Sequence, residues 1–248
     1  MRLPDSLKFL RQTRLWQALS DRRYLARHRG RQSFYRAFAP PDALVFDIGA
    51  NVGHYALIFE RIGARVLAVE PQAALAAQLR RRFAHHPRVQ IVQTALGPHQ
   101  STAVLHKAPG LTEIASLRPD VAARSRFAAE HPFSDSETVP VTTLDQLIAD
   151  HGLPDFCKID VEGFELAVLA GLSRPVPCLS LEFNREFWPE ATQCLDRLAA
   201  LGPYRFNYAL GEATQLSVSS WLSAADLRST LEQNPDPLLW GDLYARLA

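Results

Sequence analysis

Glycines and acids follow the apolar runs of this 248-residue chain at regular places. The first place is residues 44–55, where an apolar run interrupted only by Asp47 is followed by Gly49 and Gly53. The run predicts a buried parallel strand, and the residues after Gly53 predict a helix. Glycines between them permit a sharp turn and a close approach of backbone to a ligand. A strand, a glycine turn and a helix make up the first half of a nucleotide-binding unit.

The next strand indicates which nucleotide. Residues 65–70 end in Glu70, which lies 23 residues beyond Asp47. An acid there can accept both hydroxyls of a ribose. The loop at 49–53 lacks the third glycine of the dinucleotide pattern, and a strand-end acid suits an amino group better than a pyrophosphate. We therefore expect S-adenosylmethionine, which has a free amino group and no phosphate, rather than NAD.

A second acidic stretch occupies residues 155–171. Residues 156–159 predict a strand, Asp160 and Glu162 stand at its carboxyl end, and Glu165 begins a helix. Ligands of doubly wound sheets bind at the carboxyl ends of strands, where the strand order reverses. We therefore expect this strand to lie beside the first one, with Asp160 facing the glycine loop.

A lysine inside that strand needs a partner. A charge at Lys158 is costly in a buried strand unless it is paired. Asp160, Glu162 and Glu182 are the candidates, the last standing at the end of a fifth strand at 178–183.

The remaining pattern predicts an α/β domain with a doubly wound sheet. Residues 100–142 break the alternation of strands and helices, with strands at 101–106 and 138–141, and we interpret them as an insertion that lines or covers a substrate cleft. Residues 204–210 and 214–218 predict a closing antiparallel hairpin around Gly211.

Composition restricts the class of protein. Hydrophobic residues make up 47% and charged residues 21% of the chain, as in globular proteins. No apolar run approaches the roughly 20 residues of a membrane helix. The three cysteines form no metal-binding pattern, so we expect reduced thiols and a cytoplasmic location.

Charge is concentrated at the N-terminus. Residues 1–40 carry +8 and the remaining residues −7. We interpret 1–40 as a basic helical extension and 41–248 as the catalytic domain. The extension could serve an acidic or lipid-linked substrate or a membrane surface, or it could be a solvated face packed on an acidic core. We expect no nucleic-acid partner, because the total charge is near neutral and no binding motif occurs. Aromatic residues in the extension could contact a second copy: Trp16, Phe34 and Phe38.

Four motifs in order resemble the FkbM-type methyltransferases. They are Asp47–Gly53, Glu70-Pro71, Val141–Asp145 and Lys158–Glu165, and the ending Trp240–Tyr244 is similar too. The resemblance covers roughly residues 42–248. It implies a class I methyltransferase fold, a Rossmann-like seven-stranded and mostly parallel sheet with helices on both faces. It also implies S-adenosylmethionine as the methyl donor and a hydroxyl of a small molecule, sugar or glycolipid as the acceptor.

The resemblance also implies which residues hold the cofactor. The methionine part falls to Asp47, Gly49, Asn51 and Gly53, and the ribose to Glu70. Thr94 and Ala95 border the adenine by their position after the third strand. Asp160 could bind the cofactor's amino group.

Methyl transfer to an alcohol requires a group that takes the hydroxyl proton. The candidates are Asp160, Glu162 and Glu182, followed by His54 and His131. We assign no metal, although these three acids could hold a magnesium ion. Two alternatives stay open: a cofactor-binding module without turnover, and N-methyl transfer.

Overall fold

The computed structural model describes residues 14–108, 111–118 and 133–248. The helices of this part are α1 (Arg14–Arg27), α2 (Arg29–Tyr35), α3 (His54–Arg61), α4 (Ala73–Arg82), α5 (Leu144–His151), α6 (Glu165–Ala170), α7 (Trp188–Leu201) and α8 (Ala224–Glu232). The strands are β1 (Leu44–Ile48), β2 (Arg65–Val69), β3 (Val89–Val92), β4 (Ala95–Leu96), β5 (Ser101–Ala108), β6 (Leu111–Ser116), β7 (Asp135–Thr142), β8 (Phe156–Ile159), β9 (Cys178–Asn184), β10 (Tyr204–Leu210) and β11 (Trp240–Leu247).

Seven of these strands form the central sheet, in the order β10-β11-β9-β8-β1-β2-β3. Neighbouring strands are parallel except β11, which runs antiparallel to both β9 and β10. The strand order reverses between β1 and β8, as the sequence predicts. The expectation of a class I methyltransferase fold is confirmed.

The predicted closing hairpin is wrong. The antiparallel partner of β10 is β11, and residues 214–218 form no strand. β11 fits the position because Gly241, Leu243, Tyr244 and Ala245 are buried, so this strand can pair along both edges inside the sheet. Residues 214–218 are mostly exposed and polar, and they contact β10 through isolated hydrogen bonds such as Ser217 N–H to the Tyr208 carbonyl.

The predicted insertion at 100–142 supplies three strands of a second sheet, ordered β4-β7-β5-β6, and β4 precedes it in the chain. β5 and β7 correspond to the two predicted strands, and β6 is a further strand that the sequence pattern does not predict. Predictions that concern residues 119–132, including the candidate base His131, lie outside the described residues.

The second helix of the basic extension packs into the core. Tyr35 of α2 is 2% exposed and packs against Phe59 and Phe156, and its hydroxyl lies 3.3 Å from that of Tyr244. The predicted boundary at residue 40 therefore does not coincide with a break in packing. Among the described helices, none is long and apolar enough to span a membrane.

The aromatic residues of α2 and the segment after it are also used within the chain. The Phe34 and Phe38 rings lie 5.5 and 4.9 Å from the Tyr244 ring. Two of the three residues predicted to contact a second copy therefore pack internally, and the side chain of Trp16 lies outside the described part.

Removing the Tyr35 side chain should make the folded protein less stable. We expect Tyr35→Ala to lower the free energy of unfolding by about 3–5 kcal/mol, the cost of truncating a buried aromatic residue. Urea denaturation followed by circular dichroism measures this. Ser33→Ala, an exposed change in the same helix, should stay within about 0.5 kcal/mol of the wild type. A loss below about 1 kcal/mol for Tyr35→Ala would mean that α2 is not part of the core.

Candidate active site

A cavity of ≈ 240 Å³ opens at the carboxyl ends of β1, β2, β8 and β9. It lies at the reversal of strand order, where ligands of open α/β sheets bind. Most of the predicted cofactor and catalytic residues line it: Gly49, Asn51, Glu70, Thr94, Ala95, Asp160, Glu162 and Glu182.

The glycine loop after β1 lies against the end of β8. Gly49 has a φ of 82°, and a β-carbon there would lie 1.8 Å from the carbonyl oxygen of Asp160. No other residue type can occupy this position without separating the two strands. The loop is anchored on the opposite side by hydrogen bonds from the N–H groups of Gly49 and Ala50 to the Val69 carbonyl, both 2.9 Å.

Glu70 joins the loop to the start of α4. Its Oε2 accepts a hydrogen bond from the Asn51 N–H and its Oε1 one from the Gln72 N–H, both 2.9 Å. Each oxygen keeps a second lone pair, so the carboxylate can still accept the two hydroxyls of a ribose. Burial raises the pKa of Glu70 to about 7, and the two N–H groups oppose this rise.

Two predicted cofactor residues do not line the cavity: Asp47 and Gly53. Asp47 is 2% exposed inside β1, opposite Lys158 of β8, and its Oδ2 has no hydrogen-bond partner among the described residues. Burial raises its pKa to about 7, against the effect of Lys158. Gly53 lies under the side chains of Leu79 and Phe83. Neither residue reaches the cavity wall, and their roles in holding the cofactor stay predictions.

The insertion lines the cavity, as predicted for it. Leu105, Ala115 and Leu117 contribute apolar side chains beside Thr94 and Ala95. The Thr94 hydroxyl lies 3.0 Å from the carbonyl oxygens of Ala95 in β4 and Pro140 in β7, so it bridges two neighbouring strands of the second sheet at this wall.

Three carboxylates converge at the end of the cavity away from Glu70. Asp160, Glu162 and Glu182 each offer an oxygen within 4.8 Å of the others, a spacing that would suit a divalent cation. Here the Lys158 ammonium already supplies positive charge, since its Nζ lies 2.6 Å from Asp160 Oδ2. The pairing of Lys158 with Asp160 that the sequence suggested is therefore present, and the roles of the three acids as catalytic residues stay predictions.

Glu165 is a residue of the site whose role sequence reasoning missed. Its carboxylate accepts hydrogen bonds from the N–H groups of Val161 and Gly163, at 3.1 and 3.2 Å. It thereby holds Glu162 in a left-handed conformation with a φ of 52°. Ser116 of β6 donates to the Glu162 carbonyl at 3.0 Å. The sequence does contain a signal for this role, because an acid shortly after a Glu-Gly pair, at the start of a helix, can accept hydrogen bonds from the preceding N–H groups.

His54 connects the cavity to α1. Its ring stacks on Tyr24 at 4.1 Å between centroids, and burial together with Arg82 lowers its pKa to about 4. Arg82 donates to the Val52 carbonyl of the glycine loop and lies 2.5 Å from Asp21 of α1. The helical extension therefore supports the loop.

Comparison with known families identifies the family to which these motifs belong. Residues 47–209, well over half of the chain, match the model of the methyltransferase FkbM domain. This chain belongs to the FkbM methyltransferase family. S-adenosylmethionine is the cofactor of this FkbM domain. The residues present fit that cofactor: Gly49 and Asn51 line the cavity at the β1–β8 junction, and Glu70 lines it with acceptor lone pairs left over from its two backbone hydrogen bonds.

Two curated proteins are relatives of this FkbM domain. The chain is 31% identical over 157 residues to the 31-O-demethyl-FK506 methyltransferase FkbM of Streptomyces tacrolimicus, covering 53% of this chain and 60% of that protein. It is 27% identical over 164 residues to the AMB antimetabolite synthetase AmbE of Pseudomonas aeruginosa, covering 54% of this chain and 8% of that protein. The chain thus spans only part of the length of both relatives.

Solved structures resemble the FkbM domain more distantly. An O-methyltransferase from Bacillus cereus in complex with SAH shares 12% identity at a TM-score of 0.48, over 89% of this chain and 80% of that one. A precorrin-6y C5,15-methyltransferase from Geobacter metallireducens shares 12% identity at a TM-score of 0.47, over 88% and 85%.

Replacing Glu70 by glutamine should weaken binding of S-adenosylhomocysteine. A hydrogen bond to a charged group contributes about 1.5–3 kcal/mol, so the affinity should fall roughly 10- to 100-fold. Calorimetric titration measures the dissociation constant. Glu232→Gln, the same change at an exposed position outside the cavity, is the control and should bind as the wild type does. Equal affinities in both variants would contradict the ribose site.

Binding should also depend on pH through Glu70. Its pKa of about 7 means that protons compete with the ribose hydroxyls below neutrality. We expect the affinity of the wild type for S-adenosylhomocysteine to fall as the pH is lowered from 8 to 6. Glu70→Gln has no such group, so its affinity should change less over the same range. Parallel pH profiles for the two proteins would rule out Glu70 as the titrating group.

Proposed function

We propose that this protein transfers a methyl group from S-adenosylmethionine to a hydroxyl group of a small-molecule, sugar or glycolipid acceptor. The observation that supports this most is that acids stand at two opposite ends of the cavity. Glu70 stands at its β2 end, and the carboxyl groups of Asp160 and Glu182 stand at its β8–β9 end, across the glycine loop.

The two ends of the cavity suit two different tasks. Glu70 and the 49–51 backbone bind and orient the nucleoside part. At the other end, carboxylates accept hydrogen bonds from a hydroxyl acceptor. Bound between them, S-adenosylmethionine supplies an electrophilic methyl group. The enzyme's contribution is then mainly to place the acceptor oxygen in line and to receive its proton.

The predicted catalytic acids have different environments. Asp160 is held by Lys158 at 2.6 Å, which fixes its position. Burial and the neighbouring Asp160, Glu162 and Glu165 raise the pKa of Glu182 well above its ordinary value. The raised pKa favours the protonated form of Glu182, which can donate a hydrogen bond to the acceptor.

One relative supports a hydroxyl acceptor, since the name 31-O-demethyl-FK506 methyltransferase describes methylation at an oxygen. We further propose the cytoplasm as the setting, and a contact of the basic stretch 1–40 with a membrane or with a second copy. Nucleic acid is not a proposed partner.

Methyl transfer can be tested with S-adenosylmethionine carrying a ¹³C-methyl group. We expect the label to appear on a methyl ether after incubation with glycan or lipid extracts, identified by the chemical shift of the methyl carbon. Glu70→Gln should reduce the yield, and Glu232→Gln should not. A label on nitrogen would instead support N-methyl transfer. Binding of S-adenosylhomocysteine without any labelled product would support a module that lacks turnover.

A further inference from the structure

A second, smaller pocket adjoins the active-site cavity. It offers ≈ 60 Å³ and shares Tyr55, Asp160 and Glu182 with that cavity. The rest of its wall comes from α2, from the turn after β10 and from β11: Arg31, Gly211, Glu212, Trp240, Gly241 and Asp242. Because β9 and β11 lie on the opposite side of β1 from β2, the pocket meets the cavity at the end away from Glu70.

Most charged groups of this side pocket are paired with a group of opposite sign, and the further ionisable groups are acids. Arg31 is 7% exposed and lies 3.1 Å from Glu212, and its guanidinium also lies over the Tyr55 ring at 5.4 Å. Asp160 is paired with Lys158. The carboxyl groups of Glu182 and Asp242 remain, on residues that are directly paired between β9 and β11. Such a pocket disfavours phosphates and carboxylates and favours groups that donate hydrogen bonds.

An aromatic ring stands at the pocket's rim. Trp240 is 40% exposed, and a β-carbon added to Gly211 would already touch its ring at 3.6 Å. Gly241 is excluded from carrying a side chain, since its β-carbon would lie 2.1 Å from the Ala209 carbonyl oxygen. Gly211 therefore packs close to the ring, while the exposed part of Trp240 faces the pocket's opening, so a ring-shaped ligand can lie against the tryptophan and reach the acids.

We propose that this side pocket is the acceptor subsite, that it takes a neutral polyhydroxylated ring stacked on Trp240, and that Asp242 binds the reacting hydroxyl. The inference rests on the proposed function. Asp242 receives the hydroxyl proton as the bond between that oxygen and the methyl carbon forms. The electron pair of the broken carbon–sulfur bond remains on sulfur.

The environment of Asp242 agrees with this role. Burial raises the pKa of Asp242 to about 6, with Lys158 and Arg31 opposing the rise. Asp242 therefore ionises more readily than Glu182 opposite, whose pKa burial and neighbouring acids raise well above its ordinary value. The volume of the pocket admits one or two substituents of a ring, so the remainder of the acceptor extends past Trp240 toward solvent.

Saturation-transfer NMR on the full chain with saturating S-adenosylhomocysteine tests this subsite. The probes are methyl β-glucopyranoside, cyclohexanol and glucose 6-phosphate. We expect the glucoside to give the strongest signal. Trp240→Ala should reduce that signal at least fivefold, Trp240→Phe less, and Asp242→Asn at least threefold. Leu238→Ala, an exposed change two residues away, should leave it unchanged.

Calorimetry separates the possible failures. All four variants should bind S-adenosylhomocysteine within twofold of the wild type, which also shows that they are folded. Failure of the wild type to bind it would overturn the proposed function itself. If S-adenosylhomocysteine binds normally, three results would each overturn the subsite. They are an unchanged glucoside signal in Trp240→Ala, a stronger signal from either other probe, and no signal from the glucoside.

Discussion

The Lys158 ammonium, 1% exposed inside the central strand β8, is the charge around which the site is arranged. Burial alone would lower its pKa, and the nearby Asp160 and Asp242 outweigh that effect and keep it above the ordinary value. The Tyr55 ring adds a cation–π contact at 4.3 Å. Removing a charge from water is costly unless partners of opposite sign are held in place. The acids of three strands therefore have a structural reason to converge here.

Strand register explains how they converge. Asp47 lies opposite Lys158, and Glu182 lies opposite Asp242. Side chains alternate between the faces of a sheet, and Asp160 is two residues beyond Lys158, so these groups share the face covered by α2 and α3. That face supplies both the counter-charges of a lysine and the polar wall of a ligand site.

Local patterns in the sequence were sufficient for part of this arrangement. The Gly49 turn, Glu70 and Asp160 follow apolar runs directly, and the neighbouring positions of β1 and β8 follow from the topology of doubly wound sheets. Residues contributed by distant segments could not be found in this way. Arg31 and Asp242 reach the site because α2 packs on α3 and because β11 enters between β9 and β10. Whether residues 214–218 or 240–247 pair with β10 depends on which segment lies inside the sheet with strands on both sides. Alternation of apolar and polar residues along a segment does not show whether it has neighbours on one side or on both.

The position of β11 has a consequence for how the chain is made. β10 is joined to the sheet only through β11, so residues 204–210 have no place in the sheet until residues 240–247 have been synthesised. Until then β9 presents an unpaired edge with Leu179, Leu181 and Phe183, the kind of edge that pairs with other chains. At roughly 5–20 residues per second, the interval between these segments lasts seconds on the ribosome. The edge of β9 therefore stays uncovered for that interval, before β11 can pair with it.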